Sequence, residues 1–206
     1  MGRLGRLGAG RVAEAVEALT RARDLSQAGR DRRREAVAWG NLGIALRGAG
    51  RVAEAVEALT RARDLSQAVG DRHREAVAWG NLGASLHEAG RVAEAIEAHT
   101  RARDLYQAAG DRHGEATAWH GLGDALDEEG RVAEAVEGYG KALEVYREFE
   151  DWYRTGEVLH NLALVHESAS RPAEARASWL QAADAFTRVG ATAQADQART
   201  RAEEQQ

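Results

Sequence analysis

Two histidines and a set of carboxylates stand at helical spacing in the second half of the chain: His120, Asp124 and Asp127, then Glu157, His160 and Glu167. Residues three and four apart share a helix face, so each set forms a stripe that could hold a cation, a basic group or a proton. His120 and Asp124 are one turn apart and His160 follows 40 residues on. A histidine in a groove more often meets peptide or solvent than metal, and no metal or cofactor is expected. His166-Glu167 lacks the second histidine four residues on that a zinc-protease helix requires. Gly40, Gly43, Gly48 and Gly50 have the wrong spacing for a phosphate loop, and no strand precedes them. The absence of cysteine excludes disulfide and thiolate chemistry and points to a reducing, cytoplasmic setting. No nucleophile–base pair appears, so the chain does not read as an enzyme.

Composition narrows the partner. A formal net charge of −5 on 206 residues argues against general nucleic-acid binding, which wants a concentrated basic surface. No run is apolar enough to span a membrane. Residues 1–10 are Gly-rich without an apolar centre, unlike a signal peptide. A single proline, among abundant Ala, Glu, Arg and Leu, predicts helix nearly throughout.

The elements that carry these stripes are copies of one another. Residues 51–90 match residues 11–50 at 33 of 40 positions and residues 91–130 at 28 of 40. A more diverged copy starts at Arg131. A fixed period of this size marks a stacked array in which each unit buries its apolar face on its neighbours. Val52, Ala55, Val56, Leu59, Ala62, Leu65 and Val69 recur at helical spacing, and Ala76, Trp79, Leu82 and Leu86 follow beyond Gly70-Asp71. Gly suits a helix end and Asp an N-cap; Asp31, Asp111 and Asp151 recur at the same place. Loops of two or three residues make successive helices antiparallel hairpins. Ten helices are expected, near residues 11–28, 32–48, 52–69, 72–88, 92–109, 112–128, 132–148, 152–168, 172–188 and 192–204.

These residues resemble a tetratricopeptide repeat. The pattern is carried by Trp39, Leu42-Gly43, Leu46, Gly50, Ala55, Leu59 and Ala62, and again by Trp79, Leu82-Gly83, Leu86, Gly90, Ala95, His99 and Ala102. Trp119, Leu122-Gly123, Leu126, Gly130, Ala135, Tyr139 and Ala142 form a third set. The fourth keeps Leu162, Ala175, Trp179 and Ala182 but departs at Leu159, Ala163, His166 and Ser170. The period of 40 and the Gly-Asp-Arg turn are similar to a long-period subclass. It is found in animal spindle-orientation adaptors and in C-terminal arrays of actinobacterial regulators. The Ala/Arg/Gly-rich composition favours the bacterial relative. The resemblance implies an all-α, right-handed superhelical solenoid whose first helices line a concave, partner-binding groove.

Differences among copies locate that groove. Copies two and three differ at residues 77, 80, 81, 84 and 87 against 117, 120, 121, 124 and 127, one stripe along the first helix, while core positions hold. The stripe runs Val37, Gly40, Ile44, Arg47, then Val77, Gly80, Ala84, His87, then Thr117, His120, Asp124, Asp127, then Glu157, His160, Leu164, Glu167. Asn41, Asn81 and Asn161 sit beside it. In the family an Asn there often holds a bound peptide backbone; Gly121 breaks the series. Trp39, Trp79 and Trp119 read as core. The expected function is a non-catalytic scaffold binding an extended or helical protein segment. Basic groups would face the C-terminal half of the groove and apolar groups Val37, Ile44 and Val77. The alternative is a structural, self-assembly or spacer module of a larger bacterial regulator.

The expected organisation is a single array over residues 1–206. It has a frayed remnant at 1–10, an orphan second helix at 11–28, helix pairs at 31–69, 71–109, 111–149 and 151–189, and a polar capping helix at 191–206. The uncovered apolar face of residues 11–28 predicts a homodimer through that end, unless residues 1–9 fold back as its cover.

Overall fold

The computed structural model describes residues 3–205, with side chains from residue 13 onward. Among the described residues it holds ten helices: α1 (Arg3–Ala28), α2 (Arg32–Gly48), α3 (Val52–Ala68), α4 (Arg72–Glu88), α5 (Val92–Ala109), α6 (Arg112–Glu128), α7 (Val132–Glu148), α8 (Trp152–Ser168), α9 (Pro172–Arg188) and α10 (Thr192–Glu203). The last nine fall within a residue of the bounds read from the sequence. Residues 3–10, expected as a frayed remnant, instead continue α1 without a break. Interior glycine costs about 1 kcal/mol against alanine, which weakens a helix without forbidding it. Met1 and Gly2 lie outside the described residues. No helix among them is long and apolar enough to cross a membrane.

The chain divides into two compact units, residues 1–110 and 111–206. In the first, α1 packs on α2, and α2/α3 and α4/α5 form hairpins. In the second, α6/α7 and α8/α9 form hairpins and α10 packs on α9. The two kinds of helix begin differently. First helices are capped by Asp: Asp31, Asp71 and Asp151 accept from the amides of Arg34, Arg74 and Arg154 at 3.1 Å, and Asp111 from Gly114 at 2.8 Å. Second helices open on Arg51, Arg91 and Arg131, each forked onto the Glu three residues on at 2.6 Å. Those forks are exposed and contribute little to stability. Gly90 and Gly110 take the left-handed turn that joins helices (φ 71 and 70), while Arg30, Glu150 and Ser170 adopt it without being glycine.

Within a hairpin the first helix comes close enough that a leucine of the second fills the space above a glycine. A Cβ on Gly43 would lie 2.5 Å from Leu59 Cγ, and one on Gly83 would lie 2.8 Å from the His99 ring. Around this contact Leu42, Leu46, Ala55, Ala58, Leu59 and Ala62 are buried in one hairpin, and Leu82 and Leu86 in the next. Trp39 packs against the core of Val16, Leu42 and Leu46, yet Trp39, Trp79 and Trp119 are not fully enclosed. They are half-buried, lidded by Arg23 at 4.7 Å, Arg63 at 4.5 Å and Lys141 at 4.2 Å. A large indole packs its edge inward and leaves one face for a cation.

Two stability outcomes follow from this packing. Leu82→Ala should cost about 2–5 kcal/mol in urea unfolding, as a buried truncation does; a cost below about 0.5 kcal/mol, typical of surface sites, would refute its core placement. Gly43→Ala should destabilise by about 1–3 kcal/mol through overpacking. Gly40→Ala, whose Cβ meets nothing nearer than Ala62 at 3.8 Å, should stabilise by up to about 1 kcal/mol. Equal effects from the two glycines would rule out the close-contact account.

Candidate functional site

In the first unit the stripe lies on α2 and α4. Val37, Ile44 and Val77 are each more than a third exposed, although they are large and apolar. Together with Gly40, Asn41, Asn81 and the floor of α3 (Leu59, Ala62) they line a cleft of about 130 Å³. Gly40 and Gly80 have only Ala62 and Ala102 near a notional Cβ, at 3.8 and 3.9 Å, so both leave open space. Asn41 is exposed; the Asn81 side-chain amide donates to Val77 O at 2.9 Å, which leaves its carbonyl oxygen to accept. Arg47 reaches Glu88 at 3.7 Å. Ala84 and His87 are half-buried.

The second unit carries a polar node instead. Asp124 Oδ1 accepts from Tyr139 OH and from the Asn161 amide, both at 2.8 Å. The same amide nitrogen lies 3.2 Å from His120 Nε2, which is itself 3.7 Å from Asp124 Oδ1. Burial raises the Tyr139 pKa far above its ordinary value, helped by the Asp124 charge, so the phenol stays a donor. Asp127 lies one turn along; burial and then the Asp124 charge raise its pKa. Thr117 accepts from Tyr146 OH at 3.1 Å. Glu157 pairs with Arg154 at 3.1 Å. Glu167 is fully engaged, by Trp179 Nε1 at 2.7 Å, Arg201 at 2.5 Å and Gln205 at 2.8 Å. His160 stands edge-on to Trp179 at 4.7 Å, and Leu164 is exposed. Among the described residues no group of three or more His, Asp or Glu side chains could hold a metal.

The stripe therefore resolves into an apolar cleft in one unit and a hydrogen-bonded carboxylate in the other. The sequence matches the tetratricopeptide repeat family over residues 6–68, 74–148 and 116–188. The chain belongs to the tetratricopeptide repeat family. No curated protein sequence matches it. Solved structures share the tetratricopeptide fold at low identity. The kinesin light chain TPR-like repeats of Podosopora anserina align with a TM-score of 0.73 at 20% identity, over 91% of this chain and 93% of that one. BtubC from P. vanneervenii aligns with 0.67 at 15%, over 94% and 90%. Aspartyl phosphate phosphatase F from Bacillus subtilis aligns with 0.79 at 10%, over 90% of this chain and 49% of that one. Family membership places the chain among protein–protein interaction modules.

Tetratricopeptide spacing did not foretell which stripe residues are already engaged. Arg201 and Gln205 lie 34 and 38 residues from Glu167, and a helix-face argument sees only residues three or four apart. His166 was also missed as a special residue. It fills the place that Leu86 and Leu126 hold in their copies, and its buried Nδ1 has no hydrogen-bond partner. Burial lowers its pKa, with Glu174 acting against the shift and Arg171 with it. Burial likewise lowers the pKa of His160, with Arg201 acting in the same direction and Glu167 against it. Both groups resist protonation when folded, so the unfolded chain binds more protons once the pH drops below about 6.5. Stability should therefore fall on acidification through that range. Thermal unfolding from about pH 7 to about 5.5 should show a declining Tm, with a shallower decline in His166→Leu. An unchanged slope in the variant would remove His166 from the account.

Proposed function

We propose that the chain is a non-catalytic scaffold that binds an extended or helical segment of a partner protein along the first-helix stripe. The observation that carries this reading is the exposure of Val37, Ile44 and Val77 around an apolar cleft, flanked by Asn41 and Asn81. Exposed apolar side chains beside groups that can hydrogen-bond a peptide backbone suit capture of a chain segment. In the second unit, Asp124 and Asp127 favour a lysine or arginine of the partner: among the described residues neither pairs with an arginine or lysine, and the nearest basic group to Asp124 is His120 Nε2 at 3.7 Å. Glu157 and Glu167 contribute less there, because each already has an arginine. Each unit is proposed to contribute its own site: Val37, Asn41, Ile44, Arg47, Val77, Asn81, Ala84 and His87 in the first, and Thr117, His120, Asp124, Asp127, Glu157, His160, Asn161, Leu164 and Glu167 in the second.

The test is a peptide panel matched in apolar content and differing in charge, titrated by fluorescence anisotropy. Basic peptides should bind at least about tenfold tighter than acidic ones, a difference near 1.4 kcal/mol. Asp127→Lys should erase that preference, and Val77→Glu should weaken every peptide. Acidic peptides binding as well as basic ones would overturn the charge assignment. Binding indifferent to Val77→Glu would overturn the cleft.

A further inference from the structure

Residues 11–28 and 51–68 have the same 18-residue sequence, and both are helical. One sequence thus sits in two environments. In α3 the face formed by Ala55, Ala58, Leu59 and Ala62 is buried, each at most 2% exposed. In α1 the equivalent Ala15, Ala18 and Ala22 are exposed and Leu19 is only half-buried. The helix that covers α3 on this side is α2, whose Gly43 faces Leu59 and Ala55 and whose Gly40 faces Ala62. No described residue does the same for α1. Next to this face, a cleft of about 550 Å³ runs between Leu19 and Ala22 of α1 and Val37 and Asn41 of α2.

We propose that the open face of α1 is a docking site for one helix of a partner that carries the α2 pattern Trp-x-x-Leu-Gly-x-x-Leu. Identical side chains in an identical register present the same shape, so what packs on α3 defines what packs on α1. The discriminating feature is the glycine. Leu59 occupies the space that any side chain at residue 43 would need, and Leu19 requires the same vacancy opposite it. Residues 13–28 of a second copy fit less well, since that stretch contains no glycine and Leu19 would meet alanine methyl groups; the glycines of α1 stand at residues 5, 8 and 10. Residues 3–10 cannot supply the cover, because they prolong the axis of α1 itself. Nor can a folded copy lend its own α2, which is already seated on α3.

The experiment uses the full chain and a fluorescein-labelled peptide with the sequence of residues 31–50, titrated by anisotropy. Saturable binding is expected. A peptide carrying Gly43→Leu should bind at least about tenfold more weakly. In the protein, Ala22→Glu should weaken the normal peptide by a similar factor, and its exposed position leaves folding intact, as circular dichroism would verify. Leu180→Glu, at an exposed position of α9 in the other unit, should leave the affinity unchanged. Absence of saturable binding would overturn the proposal. So would binding insensitive to Ala22→Glu, which would mean that the peptide exchanges for the chain's own α2. Concentration-dependent self-association lost in Ala22→Glu, with no peptide binding, would assign the face to a second copy instead.

Discussion

The contact on which the rest depends is the approach of each first helix to its second helix over a glycine. At Gly43, Gly83 and Gly123 the backbone of the first helix is close enough that Leu59, His99 and Tyr139 occupy the room a Cβ would take. Interiors pack at crystal-like density, so this distance cannot be opened without leaving a void. It fixes the rotation of the first helix about its axis. Rotation in turn decides which residues point outward, so the glycine on one side determines the stripe on the other. Val37, Ile44 and Val77 are exposed for that reason rather than from any preference of their own for water.

The termini of the helices set the second constraint. Each first helix starts under an aspartate that accepts an amide of its first turn, and the Asp71 carboxyl is held below its ordinary pKa mainly by the Arg74 amide. Such a cap ends the preceding turn at a fixed residue and so fixes the register between helices. The Arg–Glu forks that open second helices lower the Glu54, Glu94 and Glu134 pKa values, yet all lie at the surface. They orient side chains more than they hold the fold. Helix packing and Asp caps are thus the determinants, and the abundant surface charge is mostly solvation.

This division explains what could be read without coordinates. Helix bounds follow from spacings of three and four residues, and turns from the recurring Gly-Asp, both of which the sequence displays directly. The extent of α1 did not follow, because the helix penalty of several glycines at residues 3–10 makes fraying the expectation from sequence. The half-burial of Trp39, Trp79 and Trp119 depends on cations 16 or 22 residues away, Arg23, Arg63 and Lys141. The node of His120, Asp124, Tyr139 and Asn161 spans three helices. Pairings of that kind need the distance between neighbouring hairpins, a quantity that no periodicity carries. Asn161 shows the consequence: its type suits a peptide backbone, yet its amide donates to Asp124 inside the protein.

The copies also change in a correlated way that a position-by-position comparison hides. The residue over the glycine grows from Leu59 to His99, Tyr139 and Trp179, and one two turns on grows from Ser66 to Tyr106, Tyr146 and Phe186. All eight are buried. The first helix answers where it must. At the place held by Ala36, Ala76 and Ala116 the last copy has Gly156, where a Cβ would fall 2.6 Å from the Phe186 ring. The glycine seat meanwhile becomes Ala163 opposite Trp179. The close contact has therefore moved along the hairpin to Gly156 and Phe186, while the place opposite the larger Trp179 accepts an alanine. Hairpins packed on Leu and Ser bury less apolar area than those packed on Trp and Phe. The same backbone plan accordingly carries a lean packing in α2/α3 and an aromatic one in α8/α9. The outward face keeps its pattern through this change: Ile44 and Leu164, at the same place in the first and last copies, are both exposed. One turn further on, Arg47 pairs with Glu88 and Glu167 with Arg201, so both ends of the series spend that position on a charge within the protein.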